Sequence, residues 1–114
     1  MTMQIKTGVD LIYLPKFRRS LKNGGETFLK RVFVPDELTN TNIEHLAGIF
    51  AAKEAVMKAL KLPVDSWQSI RMIYEPSGEP EINMYPPNPQ ISQTSLSISH
   101  SGQYVVACFV ALLR

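Results

Sequence analysis

Residues 43–60, IEHLAGIFAAKEAVMKAL, constrain the fold more than any other stretch of this chain. Ala, Leu, Met, Glu and Lys fill most positions. No Gly or Pro follows Gly48 within it, and Pro63 lies just beyond. Ile43, Leu46, Ala47, Phe50, Met57 and Leu60 recur at helical spacing, which predicts one long amphipathic helix. Glu54 breaks the pattern: four residues after Phe50 and three before Met57, it sits on the face that should be buried. An ionised carboxylate taken out of water costs several kcal/mol unless it is paired or ligates a cation. It can raise its pKa, pair with Lys53 or Lys58, or bind a metal. It can also lie at the rim of a wide stripe, bridged to Lys58 at i+4. The helical pattern alone favours the rim.

Around this helix, residues 4–14 are rich in β-branched side chains and predict a strand, interrupted near Gly8 and Asp10. Pro15 suits the first turn of a basic helix, PKFRRSLKN, that Gly24-Gly25 ends. Residues 26–33 read as a short helix or turn, and VPDEL (34–38) starts another. TNTN (39–42) ends with N-cap chemistry for the long helix. The second half reads as strands over 67–75, 79–85, 94–100 and 103–113, the last nearly continuous in apolar residues, as a central strand is. Helices first and a meander of strands later predict an α+β fold in one domain spanning 1–114: a long central helix packed on a mainly antiparallel sheet.

Composition narrows the function classes. Twelve Lys and Arg against ten Asp and Glu leave a net charge of +2, too mild to argue for nucleic acid. The apolar run at 104–113 is far short of the roughly 20 residues that span a bilayer. One cysteine, Cys108, allows no intrachain disulfide and reads as a small buried hydrophobe. A soluble cytoplasmic protein is expected, with no nucleic acid or membrane among its partners.

Asp10 falls just after a glycine in an otherwise apolar strand, where aspartate is disfavoured. It is either a strand-end residue or a second hard-oxygen ligand. Two carboxylates from separate elements, completed by waters and phosphate, suit Mg²⁺. His100, in SISHSG, stands where a strand enters a turn. It is either a structural histidine or a ligand contact. Lys16, Arg18, Arg19 and Lys22 cluster in one helical segment, either a solvated face or one that steers an acidic partner.

Four segments occur in order: GVDLIYLPKF, FLKRVFVPDEL, LAGIFAAKEAVMKAL and SLSISHSGQYVVACFV. Together they resemble the holo-acyl-carrier-protein synthase family, the small 4′-phosphopantetheinyl transferases, over nearly the full length. The resemblance implies transfer of 4′-phosphopantetheine from coenzyme A to a serine of an acidic apo acyl carrier protein, releasing adenosine 3′,5′-bisphosphate. By motif, Asp10 and Glu54 would hold Mg²⁺. Lys53 and Lys58 would contact phosphates or stabilise the leaving group, with Asp10, Glu54 and Lys58 forming the catalytic set. His100 and Ser101 would lie near the coenzyme, and Lys16, Arg18, Arg19 and Lys22 would dock the carrier protein. Arg31 and Glu37 match a further family segment. The family also implies a homotrimer with active sites between subunits.

The chain departs from the family pattern at several positions. Ile49 and Glu79 stand where basic residues are common, as does Asn42. Lys61-Leu62-Pro63 replaces a glycine-rich turn. Replacing arginine by isoleucine removes a charge and a fork of donors, so these changes bear on contacts to the nucleotide phosphates. They leave a rival reading: a catalytically weak homologue that binds carrier proteins.

Overall fold

The computed structural model describes residues 2–114. Five strands and two helices follow in the order β1 (Gln4–Tyr13), α1 (Leu14–Val32), α2 (Ile43–Leu60), β2 (Ile70–Tyr74), β3 (Pro80–Met84), β4 (Ile91–Ser101) and β5 (Tyr104–Leu113). One-turn 3-10 helices at Pro35–Leu38 and Ser66–Ser69 fill two of the connections. The main sheet is antiparallel in the order β1-β5-β4, and β2 pairs with β3 as a separate antiparallel hairpin. Among the described residues no helix is long and apolar enough to cross a membrane.

The α+β expectation holds, and α2 has the predicted bounds. Asn42 caps it, its side-chain oxygen accepting from the Glu44 amide at 2.9 Å. At the far end Lys61 adopts the left-handed conformation and Leu62 N–H donates back to Met57 O. The helix is buried on more sides than its stripe predicts. Leu46 and Ile49 meet the core, while Ala51, Ala52, Ala55 and Ala59 are buried where small side chains let the sheet approach.

Other boundaries move. The chain leaves helical geometry at Gly25 (φ 53°, ψ −139°) but then resumes its helix to Val32. The strand expected from Trp67 begins only at Ile70, because Ser66–Ser69 coil into a 3-10 turn that buries Trp67. The first strand is not interrupted at Gly8 and Asp10; it pairs with β5 without a break from Gln4↔Leu113 to Tyr13↔Tyr104.

Gly8 is where β1 crosses α2. A Cβ there would collide with the Ala55 carbonyl oxygen and lie 3.0 Å from Ala59 N. Both obstacles are backbone and cannot rotate aside. Gly8→Ala is therefore expected to destabilise by about 1–3 kcal/mol, the range for overpacking a core, read as a lower midpoint in urea unfolding. An unchanged midpoint would mean that the strand and helix can separate freely.

Only one face of the main sheet is covered. On the other, Ile5 (74% exposed), Val9 (57%), Leu11 (63%), Tyr13, Tyr104 and Val110 stand in solvent. Cys108, expected to be buried, is exposed on this face. Its strand is central in the sheet, but the alternation of side chains turns Cys108 away from α2.

Candidate active site

Strand alternation carries Asp10 to the α2 side of the sheet, two residues beyond Gly8. Because Gly8 lets β1 close on Ala55 and Ala59, Asp10 is held beside the last two turns of the helix. Lys58 reaches across, donating to Asp10 Oδ1 at 2.9 Å and to the Val9 carbonyl at 3.0 Å. The i+4 bridge from Glu54 to Lys58 is thus replaced by a bridge from the strand. Asp10 Oδ2 is buried and has no hydrogen-bond partner. Burial pushes the Glu54 carboxyl above the usual range; the nearby Asp10 charge adds to this, and Lys58 opposes it. Two carboxylates therefore share one lysine.

These residues line a groove of about 400 Å³ with Lys16, Ser20, Phe17 and Phe50. Phe50 stacks on Trp67 at 5.0 Å and tilts against Phe17 at 5.3 Å, which fixes the apolar part of the groove's lining. A buried unpartnered carboxylate oxygen beside a second, desolvated carboxylate fits a hard divalent cation that keeps waters and takes phosphate oxygens. Among the described residues no group of three or more His, Cys, Asp or Glu converges, so the donor set here is two carboxylates.

Lys53 does not belong to this groove. It is fully buried, bonded to Glu37 Oε1 (2.7 Å), Val32 O (2.8 Å) and Trp67 O (3.2 Å). All three ammonium donors are used, so the expected phosphate contact is corrected to a structural ion pair.

His100 is also apart from the groove. It faces Glu44 across 3.8 Å, at a pocket lined by Asn40, Asn42, His45 and Tyr74 at the start of α2. Ten residues of helix, ~15 Å, separate Glu44 from Glu54. Ser101 is exposed at the end of β4, and Arg18, Arg19 and Lys22 are exposed on the first half of α1, with Lys16 at the groove itself. Glu44 and Tyr74 were not singled out by the sequence. A first-turn acid reads as dipole complementarity, and Tyr74 joins the pocket only through tertiary folding, its ring 5.5 Å from His45.

Residues 6–109 match the 4′-phosphopantetheinyl transferase superfamily. The chain belongs to that superfamily. A holo-[acyl-carrier-protein] synthase of Dehalococcoides mccartyi is 38% identical over 114 residues, covering 92% of this chain and 96% of that one. A second, from Koribacter versatilis, is 32% identical over 95% of this chain and 98% of its own. The fold agrees with two crystal structures of holo-[acyl-carrier-protein] synthases. That from Neisseria meningitidis is 30% identical with a TM-score of 0.81, covering 93% and 96% of the two chains. That from Helicobacter pylori, in complex with coenzyme A, is 28% identical with a TM-score of 0.81, covering 92% and 98%. The resemblance carried by the four motifs stands, and so does the reading of this superfamily member as an enzyme.

Proposed function

We propose that this protein, acting as one domain over 1–114, transfers 4′-phosphopantetheine from coenzyme A to a serine of an acidic acyl carrier protein. The observation that carries the reading is the Asp10–Glu54 pair, with one oxygen orphaned and Lys58 bonded to Asp10 alone of the two carboxylates. Asp10 and Glu54 would hold Mg²⁺, which when bound neutralises charge on the pyrophosphate. Lys58 holds Asp10 in place and offers further positive charge at the groove. Phe17 and Phe50 keep water from the reacting atoms. Glu54, which Lys58 leaves without a hydrogen bond, would take the serine proton directly or through a bound water. The serine oxygen bonds to the phosphorus that carries pantetheine. The bond from that phosphorus to the bridging oxygen breaks, leaving adenosine 3′,5′-bisphosphate. The test is mass spectrometry of an apo carrier protein incubated with this protein, coenzyme A and Mg²⁺. A gain of one phosphopantetheine is expected; no gain across several carriers, with the protein folded, would sink the reading.

The carrier would dock on Lys16, Arg18, Arg19 and Lys22. Charge complementarity acts mainly on encounter, so Arg18→Glu with Arg19→Glu should raise the KM for the carrier roughly tenfold and leave kcat nearly unchanged. Steady-state kinetics at two ionic strengths would check this. An unchanged KM would move docking elsewhere.

The assembly would be a homotrimer. The apolar outer face of the sheet supports burial against other copies. The groove and the His100 pocket share no lining residue within one chain, which also supports a site completed by a neighbour. Val110→Asp is expected to give monomers by light scattering and to lower transfer at least ~10-fold. Monomeric wild-type protein with full activity would overturn the interface.

A further inference from the structure

The end of α2 carries a lysine that the proposed chemistry leaves unused. Lys61 caps the helix in the left-handed conformation (φ 52°, ψ 46°). Its own amide and that of Leu62 both donate to Met57 O. Such a closure favours glycine, because a Cβ in left-handed backbone crowds the following carbonyl. Among the described residues Asp65 is the other non-glycine with positive φ, and its side chain has a local reason to be there. Its Oδ1 accepts from Trp67 Nε1 as the chain enters the 3-10 turn. Lys61 has no such partner: it is exposed, and among the described residues its ammonium forms no ion pair. Nor does the negative end of the helix dipole require it, since Lys58 already places a cation in the last turn.

Glu54, Lys58 and Lys61 follow one another at four and three residues, which is one face of a helix. Lys61 lies ~4.5 Å further along the axis than Lys58. The other lysines of α2 are committed: Lys53 inside the core, Lys58 to Asp10 and the Val9 carbonyl. On the transferase reading, a pyrophosphate held at Asp10 and Glu54 adds negative charge beside two carboxylates. Lys61 is the uncommitted cation on their helix face. We propose that Lys61 binds the pyrophosphate of coenzyme A, and that the left-handed strain at the helix end is retained because it keeps a cation there. Strained backbone kept where glycine would relax it is a mark of functional positions.

The experiment pairs stability with donor affinity in Lys61→Gly, Lys61→Asn and Lys61→Arg, using kinetics, calorimetry with coenzyme A, and thermal melting. Lys61→Gly removes strain and charge together. Its Tm should rise by at least about 2 °C, while KM and Kd for coenzyme A rise about five- to tenfold. Its kcat should hold, as when a contact shared by ground and transition states is lost. Lys61→Asn, neutral yet tolerant of left-handed backbone, should lose the same affinity. Lys61→Arg keeps the cation and should stay within about twofold of wild type. Unchanged affinity in the Gly and Asn variants would leave Lys61 a helix-end residue and overturn the inference. An equal loss in Lys61→Arg would also overturn it, because charge would not be the cause. So would a loss seen with coenzyme A but absent with 3′-dephospho-coenzyme A, which would put the ammonium at the 3′-phosphate. If wild-type protein transfers nothing, the proposed function fails, and the calorimetric ratios still decide the role of Lys61. No binding of coenzyme A by wild-type protein overturns the inference.

Discussion

Glu54→Gln should abolish transfer while making the metal-free protein more resistant to heat. The substitution keeps shape and removes charge. Glu54 is partly buried, and its carboxyl is pushed up first by that burial and then by Asp10. Without a cation its ionised form is therefore a burden on the fold. Its folded pKa lies above the unfolded one, so its stabilising contribution is full at acid pH. That contribution is lost as pH rises through the raised value. Wild-type protein in chelator should thus lose stability between weakly acid and neutral pH, and Glu54→Gln should flatten that loss. At neutral pH we expect the variant to gain about 2–5 °C in Tm. Mg²⁺ should then raise the wild-type Tm and leave the variant unmoved, because a ligand stabilises only the state that binds it. Transfer should fall roughly 10³-fold, as when a group that stabilises developing charge is removed. A variant that melts lower than wild type in chelator, or keeps its response to Mg²⁺, would show that Glu54 is a structural residue.

The misplaced carboxylate was visible in sequence because helical periodicity is local. So were the bounds of α2 and the Asn42 cap, each decided within a turn or two of chain. What escaped were features decided by contact at long range. Gly8 and Asp10 look like strand breakers, yet the strand continues through both. The glycine is there to admit Ala55 and Ala59, and the aspartate to meet Lys58, 48 residues away. The alanines of α2 carried that message in compositional form: a helix with small residues opposite its large ones is meant to be approached from two sides. Cys108 was misjudged because a continuous apolar strand announces a place at the centre of a sheet without saying how many faces are covered. Its strand does lie between β1 and β4, and one face of it is open.

Lys53 marks the limit of reading roles from a motif, and Lys53→Met is expected to be the most destabilising substitution in the protein. The ammonium closes the gap between the end of α1, α2 and the 3-10 turn at Trp67, through Val32 O and Trp67 O. Its partner Glu37 holds the Val34 amide at 2.9 Å and, through its second oxygen, the Met72 amide of β2 at 2.8 Å. Burial pulls the Lys53 pKa down and the Glu37 carboxylate opposes that pull. Removing the lysine strands a carboxylate in the core, at a cost of about 3–5 kcal/mol. That is a large part of the 5–15 kcal/mol by which domains are usually stable. Glu37→Gln should cost less, about 1–3 kcal/mol, because the amide keeps an acceptor for one backbone N–H and loses the charge. The double variant should be less unstable than the two single losses combined, with a coupling of about 1–3 kcal/mol in urea unfolding. Assayed well below its melting point, Lys53→Met should retain the wild-type KM for coenzyme A, since the side chain reaches no groove. A variant of normal stability whose KM for coenzyme A rises sharply would return Lys53 to the phosphate-binding role that the family resemblance implies. The geometry argues against that outcome: an ammonium with all three protons committed inside the core has none left to offer a substrate.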